Sequence, residues 1–302
     1  MTRRVLVVLV GASEGGETDH YQLLQEQDAR SEAARAGVEA EVVLAPGFDH
    51  LRVIRGRVRG SAAAVDAVVV EAASISSAEL ILKELAGSVG LVLLNIEPPG
   101  LESHAGLWGT RVPFGTVSTH HRRIGEIQGR QVRALLPASG EVLCVTGPEK
   151  SSAAVERLAG MRSTLGRDLT LYTTEAGHWT EAGGGAAFDS WYGLYRSRSI
   201  NVGVVAAQSD EIAMGARAAW QRLASAPHRE MFAKVRLLGV DACPGYGARL
   251  VDAGTLTASV TTPANTGEAI RQLRQFWDTG RPLPLRALTE PLPYPLSSAP
   301  SA

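Results

Sequence analysis

Short apolar runs rich in Val and Leu recur along the chain, at Val5–Val10, Glu41–Leu44, Ala67–Val70, Leu91–Leu94, Glu141–Thr146, Leu169–Thr173, Val202–Ala206, Val235–Val240 and Ala258–Thr261. A continuous apolar run of this length is what a parallel strand covered on both faces requires. Between the runs lie helical patterns, at about residues 21–36, 50–59, 77–86, 121–136, 152–165, 180–195, 210–223, 245–252 and 264–278. Strand and helix in alternation build β-α units and parallel sheets, and this many strands predict two sheets in two domains. The clearest break in composition is the Gly/Pro-rich stretch Pro98–Gly115, followed by a short strand near Phe114–Val117 and then Ser118-Thr119, where a domain crossing is expected. The two halves share this architecture, and similar lobes facing each other would enclose a cleft lined by the carboxyl edges of both sheets.

Composition narrows the partners. The 302 residues are 45% hydrophobic and 20% charged with a formal net charge of -1, so nothing electrostatic favours nucleic acid. No apolar run is long enough to cross a bilayer, which leaves a small molecule or a protein as partner. The first apolar run, Val5–Val10, ends at Gly11 and is too short for a signal-peptide core, so the chain as written is expected in the cytoplasm, or in the periplasm if its N-terminus has been trimmed. Cys144 falls in a predicted strand and Cys243 in a predicted loop. They make no disulfide framework or metal spacing, so both are read as structural, and no metal or cofactor is expected.

Sequence signatures of catalysis are missing. Gly11-Ala12-Ser13-Glu14-Gly15-Gly16 follows the first strand, but Ser13 stands where a dinucleotide fingerprint needs its second glycine, and the next helix starts later, near Asp19-His20-Tyr21. Tyr192 and Tyr195 lack the lysine of a Tyr-x-x-x-Lys pair, and no nucleophile elbow, Walker sequence or His-Glu-x-x-His helix occurs. The most informative junction is Ile200–Ala216, where an apolar run stops at Gln208-Ser209 and Asp210-Glu211 open a helical pattern. It reads as strand, turn and helix, with Ser209 as N-cap and two acids at the positive helix end.

Several blocks together resemble one family. Gln208-Ser209-Asp210-Glu211-Ile212-Ala213-Met214-Gly215-Ala216 resembles the N-D-E-x-A-x-G-A block of ribose/galactose-type periplasmic sugar-binding proteins, whose fold is shared by LacI-type effector domains. Ser152–Arg157 with Gly160-Met161, Leu238-Gly239-Val240-Asp241, and Leu256–Val260 are similar to three further family blocks and fall in family order. The resemblance implies an α/β protein of two similar doubly wound parallel-sheet lobes joined by a multi-strand hinge, the type 1 periplasmic-binding-protein fold. It places residues 1–118 and 263–282 in the first lobe and 119–262 and 283–302 in the second.

It also implies site residues. Asp241 would accept from ligand hydroxyls, against the alternative of a cap for the following loop. Arg157 would donate a planar fork, against a solvated surface role. Asn95 stands where the family carries an acid, and Glu97 would supply that carboxylate unless it is a loop charge. Tyr21 and Gln22 occupy an aromatic pair of which only Tyr21 keeps a stacking face, and Trp179 matches the aromatic covering the opposite face. Both aromatics have a core alternative. Ser209 and Thr262 replace family Asn and Gln, which points to a ligand larger than a pentose or to one that is not a sugar. Of the tandem pair His120-His121, His120 is the candidate contact, set against a solvated helix start. The long loop Pro99–Pro113, with His104, Trp108 and Arg111, is expected over the cleft mouth or over the hinge.

The function implied is that of a non-enzymatic solute-binding protein that closes by hinge motion on a sugar, polyol or similar polar molecule, with an ABC permease or a sensor kinase as partner. The alternatives are a cytoplasmic sensor acting through a partner protein, and an enzyme using Asp241, Glu97 and His120 as acid-base groups.

Overall fold

The computed structural model of the chain describes residues 2–11, 19–60, 64–196 and 201–295. Residues 12–16 of the glycine-rich run, Ile200 at the head of the strand-turn-helix junction, and residues 296–302 of the C-terminal tail lie outside the described residues. In chain order the elements begin β1 (Arg4–Val10), α1 (His20–Ala36), β2 (Glu39–Ala45), α2 (His50–Gly60), β3 (Ala67–Val70), α3 (Ile75–Leu85), β4 (Gly90–Leu94), α4 (Leu101–Trp108) and β5 (Phe114–Thr119). They continue α5 (His121–Leu135), β6 (Gly140–Thr146), α6 (Ser152–Leu165), β7 (Leu169–Glu175), α7 (Glu181–Tyr195), β8 (Val202–Ala207), α8 (Asp210–Gln221), α9 (Ala226–Phe232) and β9 (Arg236–Leu238). The remainder is α10 (Gly247–Asp252), β10 (Ser259–Thr261), α11 (Thr266–Thr279), β11 (Arg286–Thr289) and β12 (Leu292–Tyr294). Two compact units result, residues 1–119 with 264–289 and residues 120–263 with 290–302.

The first unit holds a parallel sheet in the order β11-β5-β4-β3-β1-β2. Alternate residues of its strands enter two separate cores. Leu6, Val8, Val68, Val70, Leu91 and Leu93 pack with Ile54, Ile81, Leu82 and Leu101 of α2, α3 and α4. Val5, Val7, Leu9, Val69, Val92 and Leu94 pack with Ala29, Ala33, Ile270 and Leu273 of α1 and α11. Covering on both faces is why these strands read as unbroken apolar runs. Strand β11 was expected in the second lobe, but it pairs with β5 in register Arg286 with Thr116 through Thr289 with Thr119.

The stretch 99–113, expected to be a loop over the cleft mouth or over the hinge, contains α4. Trp108 is buried, stacks on Phe114 at 4.5 Å and donates its indole N–H to the Val89 carbonyl at 2.8 Å. Val89 and Phe114 stand where β4 and β5 begin, so this end of α4 closes the amino edge of the sheet, opposite the edge where such folds bind ligands.

The second unit repeats the plan with a parallel sheet β7-β6-β8-β9 and an antiparallel ribbon β10-β12. Glycines set its helix packing. A Cβ on Gly125 of α5 would lie 1.8 Å from the Arg157 carbonyl oxygen of α6, and one on Gly215 of α8 would lie 1.8 Å from the Glu181 carbonyl oxygen of α7. The helix pairs approach this closely because no side chain stands between them.

Candidate functional site: two carboxyl edges

In the first unit the polar residues gather where the strands end. Tyr21, in the first turn of α1, accepts at its hydroxyl from the side-chain amides of Gln25 and Asn95, both at 3.3 Å. Asn95 follows β4 with φ 55°, a left-handed conformation that Asn adopts more readily than most residues. Its Nδ2 also donates to Glu71 Oε1 at 3.0 Å, and its Oδ1 accepts from Asn265 Nδ2 at 2.7 Å.

Asn265 is the hub of this edge. It is fully buried; its Nδ2 donates to Thr119 Oγ1 at 3.1 Å, its Oδ1 accepts from the Thr289 hydroxyl at 2.7 Å, and its backbone N–H donates to Gln25 Oε1 at 2.7 Å. Nδ2 has two hydrogens, so the 3.5 Å approach to the Tyr21 hydroxyl is its weakest contact.

The sequence reading missed Glu71, Thr119, Asn265 and Thr289. A rule of position would have found the first two, since Glu71 directly follows β3 and Thr119 ends β5. Gln22, which follows Tyr21 in α1, is buried with its Oε1 unpartnered among the described residues. Glu97 is not brought into it. Its exposed carboxylate accepts from Arg286 Nε and Nη2 at 2.8 and 2.7 Å, and Arg286 also meets Glu102. The carboxylate beside Asn95 is that of Glu71.

The carboxyl edge of the second unit centres on Arg157. Only 6% exposed, it donates from Nη1 to the Gln208 carbonyl at 2.5 Å, and its Nη2 stands 3.8 Å from Asp241 Oδ1. That ion pair is longer than a hydrogen bond. The guanidinium lies 5.4 Å from the ring centre of Trp179, whose indole in turn covers Gly147. Arg157 Nε has no partner among the described residues, and neither has the buried hydroxyl of Thr262. Asp241 carries φ 100°, a strained value for a non-glycine residue, held by Asp241 N–H to the Val260 carbonyl and Thr262 N–H to the Asp241 carbonyl.

The opening junction is mostly committed to structure. Ser209 Oγ accepts from Ile212 N–H at 3.1 Å as the N-cap of α8, and Gln208 bonds Gly147 N–H and the Ala154 carbonyl. Asp210 accepts from Ser259 Oγ at 2.8 Å and Ala242 N–H at 2.7 Å, tying the start of α8 to two neighbouring segments. Burial, and then the nearby Asp241 carboxylate, push its pKa well above the usual carboxylate range.

Of the tandem histidines, His120 caps α5, accepting from Arg123 N–H at Nδ1. His121 is the buried one, with neither ring nitrogen partnered among the described residues. Burial, then the charges of Arg157 and His120, hold it well below the usual histidine range. Cys144 is buried in β6, which pushes its thiol up to about 12. Among the described residues no group of His, Cys, Asp and Glu is arranged to hold a metal ion, and no helix is long and apolar enough to cross a membrane.

The fold has many solved counterparts. One is an ABC-transporter periplasmic solute-binding protein from Actinobacillus succinogenes 130z with bound D-allose, at TM-score 0.80 and 13% identity over 99% of each chain. A second is the Caulobacter myo-inositol-binding protein with bound myo-inositol, at TM-score 0.74 and 20% identity over 96% of this chain and 92% of that one. A third is the fructose-binding periplasmic domain of a hybrid two-component system, at TM-score 0.77 and 18% identity over 98% and 92%. No curated protein matches the sequence. The likenesses show the type 1 periplasmic-binding-protein fold that the sequence blocks implied. A family model described as periplasmic binding protein domain matches residues 14–274. With that match spanning most of its length, the chain belongs to the periplasmic binding protein domain family.

Proposed function

We propose that the chain is a non-enzymatic solute-binding protein for a sugar or polyol, with ligand contacts among the carboxyl-edge residues of its units, above all those around Arg157. The observation that carries this reading is the buried Arg157. Its ion pair with Asp241 is loose at 3.8 Å, and its Nε and the neighbouring Thr262 hydroxyl lack partners. Buried polar groups left so cost about 1–3 kcal/mol each, a cost that ligand hydroxyls, which both donate and accept, would remove. The structural neighbours that bind D-allose, myo-inositol and fructose support the same ligand class.

Tyr21, Gln22 and Asn95 in the first unit and Arg157, Trp179, Asp241 and Thr262 in the second are the proposed contacts. Ser209 acts through its helix cap. An acid-base enzyme finds little support, because Glu97 is tied to Arg286 and His120 Nδ1 is used as a cap. The output is ABC-type uptake or ligand sensing, as neighbours of both kinds share the fold. The family's description favours the periplasm, which fractionation of cells expressing the full gene would test.

A thermal-shift screen with D-allose, D-fructose, D-galactose and myo-inositol tests the reading. A ligand at 100 times its dissociation constant adds about 2.7 kcal/mol and a clear rise in melting temperature. No rise with any sugar or polyol would contradict it. Conversion of a bound ligand, followed by NMR, would contradict the non-enzymatic part alone.

A further inference from the structure

We propose that His121 is a ligand-reading residue that selects for a hydroxyl at one position of the ligand ring, an inference that rests on the sugar-binding function above. Three observations place it. His121 is 5% exposed, and both ring nitrogens lack a hydrogen-bond partner among the described residues. It lies one turn before Gly125, where α5 touches α6 at the Arg157 carbonyl, so its helical face is the one turned toward Arg157. The Arg157 side chain reaches the Gln208 carbonyl and the Asp241 carboxylate, at the carboxyl edge already described.

A buried imidazole normally has at least one nitrogen paired, as His50 shows, with Nε2 within 2.9 Å of the Ala45 carbonyl and 3.2 Å of the Leu9 carbonyl while its Nδ1 is unpartnered among the described residues. His121 differs in that neither nitrogen is held by the chain, which leaves both for a partner from outside it. With Arg157 beside it, His121 is neutral at physiological pH. A neutral ring offers one donor and one acceptor, so it suits a hydroxyl, which also does both. It does not suit a ligand cation, which Arg157 would repel as well.

The test compares wild type with His121→Phe and His121→Asn. Phe keeps the ring and removes both nitrogens, whereas Asn keeps a donor and an acceptor. Calorimetric titration uses D-allose, D-fructose, D-galactose and myo-inositol, then monodeoxy analogues of the tightest binder. The expected result is that His121→Phe weakens the parent ligand about tenfold. It should leave one monodeoxy analogue unchanged, and His121→Asn should recover part of the loss. The apo melting temperature of His121→Phe should equal or exceed that of wild type, because an apolar group replaces unpaired polar ones.

Equal loss for the parent and every analogue, or no loss at all, would overturn the proposal. So would a lowered apo melting temperature, which would show that the imidazole is paired within the protein. If wild type binds none of the four ligands, the sugar-binding function and this inference fall together. That result is distinct from a wild type that binds and a Phe variant that binds equally well.

Discussion

The two carboxyl edges solve the same burial problem in opposite ways. In the first unit most of the polar side chains satisfy one another, with Asn265 bonded to Asn95, Thr119, Thr289 and Gln25 and only Gln22 Oε1 of the candidate contacts there left unpartnered among the described residues. In the second unit Arg157, His121 and Thr262 are buried with polar atoms unpartnered among the described residues. A self-satisfied cluster contributes to folding and holds its members in place; an unsatisfied one costs stability until something else completes it. The first edge therefore reads as pre-set, and the second as the edge that gains most from ligand. Thr119 and Thr289 are also the last residues of the first unit before the chain passes into the second, and Asn265 follows closely on the return.

The comparison breaks most visibly at the hub. Asn265→Leu should cost about 2–4 kcal/mol in urea unfolding by stranding its amide and hydroxyl partners, and should weaken ligand binding through the displaced Asn95. A loss below about 1 kcal/mol would show that the network re-pairs without it, as the 3.2 Å approach of the Thr289 and Thr119 hydroxyls would allow. On the second edge, Asp241→Asn should behave in the reverse sense. It should cut affinity by about 100-fold through loss of a charge-assisted contact, while apo stability changes by less than about 1 kcal/mol, since Asn tolerates the positive φ. A large apo loss would instead make Asp241 a structural cap.

Legibility of the sequence divides along the same line. The strands of both units were legible because burial on both faces leaves an unbroken apolar run, as at Val5–Val10 and Val202–Ala207. The helix α4 was not, because its Gly/Pro-rich surroundings read as a loop and only Trp108, stacking on Phe114, reveals why it folds. Arg157, Trp179 and Asp241, expected as contacts from family blocks, lie together in the second unit. Asn265 was not found, since an Asn before a helix reads as a cap, and its side-chain and N–H hydrogen bonds to residues 24 to 244 positions away leave no local pattern. The pair His120-His121 shows how little separates two environments, since one residue of shift on a helix takes the side chain from a cap to a buried face.

A pH series sharpens the second edge. Burial lowers the pKa of both His121 and His50 in the folded protein. The unfolded chain then takes up protons first, so this stability is complete above about pH 6.5 and is lost as pH falls below that value. In His121→Phe the fall in melting temperature between about pH 7 and about pH 5 should be shallower than in wild type, with the share from His50 remaining. An unchanged slope would mean that His121 is solvated. The smallest effect belongs to Glu97→Ala, which removes an exposed ion pair with Arg286 and should change stability by less than about 0.5 kcal/mol and affinity not at all. Lost affinity there would return Glu97 to the site.

The central claim is that an unsatisfied edge in the second unit is completed by a polyhydroxylated ligand. Calorimetric titration of the wild-type chain with D-allose, D-fructose, D-galactose and myo-inositol tests it most directly. The account predicts saturable one-to-one binding of at least one of them, with the ligand recovered unchanged. Absence of binding by all four, in a chain whose cooperative unfolding shows it to be folded, would contradict it.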